Sequence, residues 1–184
     1  MATLSAFLFI SIDGYYKDID NGINWHRHGG EESDFAANSS QQEHILLFGR
    51  ITYQMMAAFW PTAMAKEQMP GVAKGMNQSE KVVFSKTTNT SDWHNTRFLS
   101  ANLLEEVKKL KQGETDITIL GSGSLLTQLT DAGLIDSYQF MIDPVALGKG
   151  TPIFAGLKEK IDLKLTASRI FESGIILATY KPIV

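Results

Sequence analysis

The chain contains no cysteine. That absence excludes disulfides, thiolate metal sites and cysteine nucleophiles, although it does not name a compartment. Long apolar runs are missing too, and nothing approaches the roughly 18 residues of a membrane-spanning helix. The opening MATLSAFLFISIDG has an apolar middle but no basic n-region, and Asp13 arrives too early for an export signal. Positive charge is not in excess: 17 Lys and Arg stand against 20 Asp and Glu, a net charge of -3. A nucleic-acid partner would need a concentrated basic face. Histidine is scarce, with four in all. His26 and His28 sit two apart in one loop while His44 and His94 lie in separate segments, and zinc asks for three or four convergent ligands, so no metal site is expected. These absences predict a cytoplasmic protein with neither a membrane nor a nucleic-acid partner.

What is present is ordinary for a globular chain: 184 residues, 43% hydrophobic and 20% charged. That length suits one domain, residues 1–184, able to bury about 70% of its unfolded surface without staples. TLSAFLFISI, residues 3–12, reads as a central strand covered on both faces. A polar loop runs on to about Gly30. Residues 31–43 predict a helix with acids in its first turn, where the helix dipole favours them. HILLF at 44–48 is a short apolar run, after which Thr52 is expected to cap a helix that stops at Trp60-Pro61. Residues 64–78 are ambiguous, broken by Pro70, Gly71 and Gly75.

Strands follow at 81–85 and 97–100. An amphipathic helix opens after Asn102 and stops at Gly113. DITIL at 116–120 is a buried strand, 124–132 a helix, and LIDSYQFMIDPVAL a long strand broken at Pro144. The alternation through Glu172-Ser173-Gly174 predicts a closing hairpin. Strand-helix alternation ending in a hairpin means an α/β domain, mostly parallel with an antiparallel edge.

Three turns stand out chemically. Gly121-Ser122-Gly123-Ser124 follows a strand and opens a helix, a spacing that fits either a phosphate seat or a plain tight turn. It is neither the G-x-G-x-x-G fingerprint, which would need glycine at Leu126, nor a Walker loop. Gly49-Arg50-Ile51-Thr52 also follows a strand and offers a guanidinium fork, or simply a cap beside a surface arginine. Ser85-Lys86-Thr87 places a cation between two hydroxyls beyond a third strand.

In their order and spacing, SIDGYY, LLFGRITYQMM, KVVFSKTT, ILGSGSLLTQL and LIDSYQFMIDPVALGKGTPIF make the chain similar to the dihydrofolate reductase-like superfamily. The resemblance is to its branch related to the reductase domain of bacterial riboflavin biosynthesis, and it spans nearly the whole length. It implies a three-layer α/β/α fold, NADPH as cofactor, a small heterocyclic substrate and a homodimer. Within it, Gly121, Ser122, Gly123 and Ser124 hold the pyrophosphate. Gly49, Arg50 and Thr52 meet cofactor phosphates, and Ser85, Lys86 and Thr87 meet the ribose 2'-phosphate. Many relatives have arginine where this chain has Lys86, which keeps the charge but loses the bidentate fork.

On the substrate side the resemblance implies Asp13 and Gly14, Trp25 in the loop that follows, and Pro144, Gly148 and Lys149. Folate-reducing relatives carry one buried acid on the helix before the G-R turn. Of Glu31, Glu32 and Asp34, the candidate is Asp34, which lies 15 residues before Gly49 and is followed by Phe35. Three acids at a helix start also have an ordinary electrostatic explanation. Nicotinamide chemistry leaves hydride transfer to the cofactor, so the protein mainly positions the partners. No deaminase is expected within these residues, since its H-x-E…P-C-x-x-C signature needs cysteine. Two function classes remain. One is an NADPH-dependent reductase of a pterin- or ribosylaminopyrimidinone-like heterocycle; the other is a non-catalytic nucleotide-binding or interaction protein that retains the fold.

Overall fold

In the computed structural model of the chain, residues 1–27 and 29–183 are described. His28, one of the two loop histidines considered above, lies outside the described residues. The chain opens with β1 (Leu4–Ser11), β2 (Tyr15–Lys17), α1 (Gly30–Ser40), β3 (Ile45–Gly49) and α2 (Arg50–Phe59). It continues through α3 (Ala63–Gln68), α4 (Pro70–Gln78), β4 (Glu80–Phe84), β5 (Thr96–Leu99) and α5 (Leu103–Lys111). The last third holds β6 (Ile117–Leu120), α6 (Gly123–Asp131), β7 (Ser137–Asp143), β8 (Thr151–Pro152), β9 (Leu163–Ile170) and β10 (Ile176–Pro182).

Eight of the described strands form one sheet in the order β5-β4-β3-β6-β1-β7-β10-β9. From β5 to β7 every pairing is parallel; β10 pairs antiparallel with β7 and with β9. The period-two alternation of β1 divides its side chains between two helical layers. Leu4, Ala6, Leu8 and Ile10 pack with Val107 of α5 and with Leu125, Leu126 and Leu129 of α6. Phe7 and Phe9 point the other way, into a cluster with Phe35 of α1. On that same side, Tyr53 of α2 and Val72 and Met76 of α4 cover Leu46, Phe48 and Val83. The architecture is therefore a three-layer α/β/α arrangement, as the resemblance implies, and its sheet is mostly parallel with antiparallel strands at one edge, as the alternation predicts. No helix among the described residues is long and apolar enough to cross a membrane.

The ambiguous stretch resolves into two helices. The Thr62 hydroxyl accepts the Ala65 amide at 3.2 Å and starts α3, and Pro70 occupies the first position of α4. There its missing N–H costs nothing. The glycines that obscured this reading serve packing: a Cβ on Gly75 would lie 2.2 Å from the Ser40 carbonyl oxygen, and one on Gly71 2.8 Å from Ala37 Cβ. Backbone contact between α1 and α4 is the reason for both. Lys81 is fully buried, and its ammonium donates to the carbonyls of Met76, Asn77 and Ser79, closing the C-terminus of α4.

Candidate functional site

In a parallel sheet the carboxyl ends of neighbouring strands lie at one edge, which makes that edge the natural place for a ligand. β4, β3 and β6 are consecutive neighbours. The turns that follow them, far apart in sequence, therefore meet around a cavity of about 660 Å³. Gly49, Arg50 and Thr52 line it from the first turn, Ser85 and Lys86 from the second, and Ser122, Gly123 and Ser124 from the third. Thr87 and Gly121 are absent from the lining. Thr87 is exposed, with its amide turned back to the Ser85 hydroxyl at 3.3 Å. Gly121 makes the turn itself, at φ +59°, with Thr52 Cγ2 where a Cβ would crowd it.

Two hydroxyls expected at the cofactor phosphates join these turns by accepting backbone amides. The Gly49 amide donates to Ser122 Oγ at 2.8 Å, and the Ser122 amide donates to Thr52 Oγ1 at 3.2 Å. Thr52 is thus not the cap of α2, as its place after a strand suggests. Gly49 holds that position, and Thr52 sits buried in the first turn. Ser122 adopts φ 57°, a left-handed conformation that costs a non-glycine residue roughly 1–2 kcal/mol. The stitched hydrogen bonds hold it there. The Ser85 hydroxyl accepts the Thr88 amide at 2.8 Å and shapes its own turn.

The electrostatics of the cavity are one-sided. Its charged lining residues are Lys17, Arg50 and Lys86, with no Asp or Glu among them. Three helices begin at its wall: α2 and α6 have no acid in the first turn and no side-chain cap, whereas α5 carries Glu105 and Glu106 there. The positive ends of α2 and α6 therefore face this cavity with no carboxylate in their own first turns.

β2 and β8 form a separate two-stranded ribbon, too short for the alternation of the sequence to reveal. It carries Tyr16 and Lys17 into the cavity lining. Burial raises the Tyr16 phenol above its usual pKa. Asp13 anchors the base of this ribbon. Its carboxylate accepts the Ser11 hydroxyl at 2.6 Å and the amides of Leu147 and Gly148 at 3.1 and 2.7 Å. Those donors, the Ser11 hydroxyl above all, lower its pKa to about 2. Asp13 is therefore a loop anchor, and Gly14, at φ +84°, makes the turn beside it. Pro144, Gly148 and Lys149 are exposed on the anchored loop and line neither this cavity nor the one described next.

The second cavity, of about 370 Å³, lies against the start of α1 and is lined by Arg27, Glu31, Glu32, Glu172 and Ser173 with two glycines. The acid that α1 buries is Glu32, 8% exposed, which accepts a hydrogen bond from the Ser173 hydroxyl. Asp34 is exposed. Helix phase explains the difference in burial: Glu32 is three residues before the inward-facing Phe35 and shares its face, while the adjacent Asp34 points about 100° away.

Sequence reasoning also missed a pair. His26 Nδ1 lies 2.7 Å from Asp143 Oδ2, both side chains are buried, and the Arg27 amide donates to Asp143 Oδ1 at 3.1 Å. The His26 ring stacks on Phe9 with centroids 3.6 Å apart. The pair fastens the long first loop to the end of β7. Its members are 117 residues apart, so no local pattern announces it. Trp25 packs edge-on against His26, its indole nitrogen buried without a hydrogen-bond partner among the described residues.

Fold and site together define a three-layer α/β/α protein with a cationic cleft at the carboxyl edge of its parallel strands. The chain belongs to the family described as the RibD C-terminal domain, whose model matches residues 2–177. It is 31% identical over 176 residues to YyaP of Bacillus subtilis (strain 168), covering 94% of this chain and 91% of that protein. Among solved structures, a candidate riboflavin biosynthesis protein from Shewanella sp. PV-4 superposes with a TM-score of 0.76 at 19% identity over 100% of both chains. A dihydrofolate reductase from Enterococcus faecalis, solved as a complex with NADP(H), gives 0.66 at 14% identity over 98% of this chain and 96% of that one. At these identities the two structures establish the shared fold.

Proposed function

We propose that the protein is an NADPH-dependent reductase of a small heterocyclic substrate of the pterin or ribosylaminopyrimidinone kind. The observation that carries this reading is the charge of the larger cavity. A protein of net charge -3 gathers three cations and no acid around about 660 Å³ at the carboxyl edge of its sheet. That volume lies within the range of small-molecule and cofactor sites. A dinucleotide diphosphate is an anion that such a cleft and two open helix starts are suited to receive. The Enterococcus reductase, which shares the fold and was solved in complex with NADP(H), supports the same reading.

In this reading the Gly121–Ser124 turn and the start of α6 receive the pyrophosphate, with Ser122 and Thr52 holding the turn in shape. Arg50, at the first position of α2, neutralises phosphate charge. Lys86, at the rim beyond β4, meets the ribose 2'-phosphate. The nicotinamide, when bound, supplies the hydride. The chain's own task is to hold the substrate and provide a proton, and the acid we assign to that is Glu32, the buried carboxyl of α1. Glu31, Glu32 and Glu172 around the smaller cavity would accept hydrogen bonds from the amino and ring N–H groups of a donor-rich heterocycle.

Titration of the three tryptophans' fluorescence with NADPH and NADH tests the first step, with saturable NADPH quenching as the expected result. Absence of binding by either nucleotide would refute the reductase reading. Oxidation of bound NADPH on addition of dihydrofolate or a ribosylaminopyrimidinone would identify the branch.

A further inference from the structure

Of the three cations around the larger cavity, Lys17 alone is carried by a strand. It stands opposite Thr151 in the β2–β8 ribbon, and both residues line the cavity. The ribbon is fixed to the body. The Tyr15 amide donates to Ser11 Oγ at 2.9 Å, and the Ile153 amide donates to the Gly14 carbonyl at 2.8 Å. Behind it, Gly150 passes so near that a Cβ would lie 2.1 Å from the Lys17 carbonyl oxygen. In front, the Tyr16 ring rests against the turn at 121–124, where a Cβ on Gly123 would come within 2.5 Å of the phenol oxygen. The ribbon is thus docked on the turn that opens α6.

Strand alternation sends neighbouring side chains to opposite faces, yet the Lys17 ammonium returns over the Tyr16 ring, 5.4 Å from its centroid. A ring face attracts a cation but offers no lone pair to the three N–H donors of an ammonium. Among the described residues the Lys17 side chain makes no hydrogen bond and no ion pair. Its neighbour Asp18 does not serve, because that carboxylate accepts the Asp20 and Gly22 amides at 3.0 and 2.7 Å within its own turn. Arg50, by contrast, donates to Gln54 at 3.1 Å, and Lys86 is exposed. Lys17 is half-buried, and the fold uses none of its donors. A partly buried charge without a partner is unfavourable, and an anion in the cavity would relieve it.

We propose that Lys17 is a cofactor-binding residue, the pyrophosphate cation, held by the ribbon one tyrosine ring away from the turn at 121–124. The proposal rests on reading the larger cavity as the dinucleotide site. It divides the anionic groups of NADPH between two lysines. Lys86 beyond β4 meets the 2'-phosphate, and Lys17 meets the diphosphate that NADH also carries. Loss of one charge-assisted hydrogen bond corresponds to about a tenfold change in affinity. Lys17→Met keeps an unbranched stem over the Tyr16 ring and removes the ammonium.

The test compares wild type, Lys17→Met and Lys17→Arg in calorimetric titrations with NADPH, NADH and 2'-AMP, which carries the 2'-phosphate but no pyrophosphate. Matching thermal unfolding midpoints would show that the variants are folded, and Lys17→Gln is a second neutral variant expected to match Lys17→Met. The expected result is that NADPH and NADH each bind about tenfold more weakly to Lys17→Met, that 2'-AMP binds unchanged, and that Lys17→Arg keeps most of the wild-type affinity. A role in packing alone would not follow the charge. Unchanged affinity for both nucleotides, a loss confined to NADPH and 2'-AMP, or equal impairment of the Met and Arg variants would overturn the assignment while leaving the cofactor site standing. Failure of wild type to bind NADPH or NADH would overturn the cofactor reading and this proposal with it.

Discussion

Asp13 shows how one carboxylate can tie two distant loops together. It follows a strand, precedes a glycine and opens a long loop, which is a plausible position for a substrate contact. Its carboxylate is instead saturated by the Ser11 hydroxyl and two amides of the loop beyond β7. Those donors favour the charged form, which is why its pKa falls from 3.8 to about 2. The sign follows: the folded state holds the carboxylate more strongly than the unfolded state does. Asp13 therefore contributes stability above its unfolded pKa, and that contribution is lost as pH falls from about 4 toward 2. Asp13→Asn is expected to melt lower than wild type at pH 6, with the two melting curves converging toward pH 2. A gap that stays constant from pH 6 to pH 2 in circular dichroism melts would count against it. Glu32 was open to inference in a way that the roles of Asp13 and His26 were not. The three-residue step from Glu32 to Phe35 places both on one helix face, whereas Leu147 and Gly148, which hold Asp13, and Asp143, which pairs with His26, lie more than 100 residues away.

Most long elements could be read because each has its own periodicity and its own stop. Residues 3–12 alternate toward a two-sided core, 102–113 carry acids first and lysines last, and the closing hairpin announces itself at Gly174. Where elements fall below the length at which a period can show, the sequence is silent. β2 and β8, of three and two residues, escape for that reason, and they bring Tyr16 to the cavity. In residues 64–78 the difficulty is different. Gly71 and Gly75 weaken helix propensity locally, yet they allow α4 to approach α1 at backbone distance, and the packing outweighs the propensity. Gly75→Ala would restore propensity and still harm the protein, since its Cβ would lie 2.2 Å from the Ser40 carbonyl oxygen. The expected cost is about 3 kcal/mol or more, the scale of severe overpacking. Urea unfolding monitored by circular dichroism would measure it. Because α1 carries Glu32, a displaced helix should also weaken substrate binding more than cofactor binding.

Across the molecule, charge is sorted in a way that composition conceals. The net value of -3 argues only against nucleic acid, yet the larger cavity collects Lys17, Arg50 and Lys86 without an acid. The smaller cavity sets three glutamates against one arginine. Parallel strand order produces this sorting by bringing together turns after residues 49, 85 and 121, whose kinship no single segment displays. Within the cationic cavity, Arg50 belongs to the start of α2 and Lys17 to the ribbon, whereas Lys86 is the exposed cation beyond β4. In the proposed reading, Lys86 meets the group that distinguishes NADPH from NADH, the 2'-phosphate. A lysine supplies a point charge without the arginine fork, so the preference it confers is moderate and sensitive to salt. Lys86→Ala is expected to weaken NADPH binding about tenfold, consistent with loss of one charge-assisted hydrogen bond. NADH binding should stay within a factor of two, so that the two affinities approach each other. Raising the salt concentration should erode the NADPH preference of wild type but hardly alter that of the variant. Parallel titrations with both nucleotides at two salt concentrations read all of these quantities. An equal loss for NADPH and NADH would move Lys86 from the 2'-phosphate to a phosphate common to both.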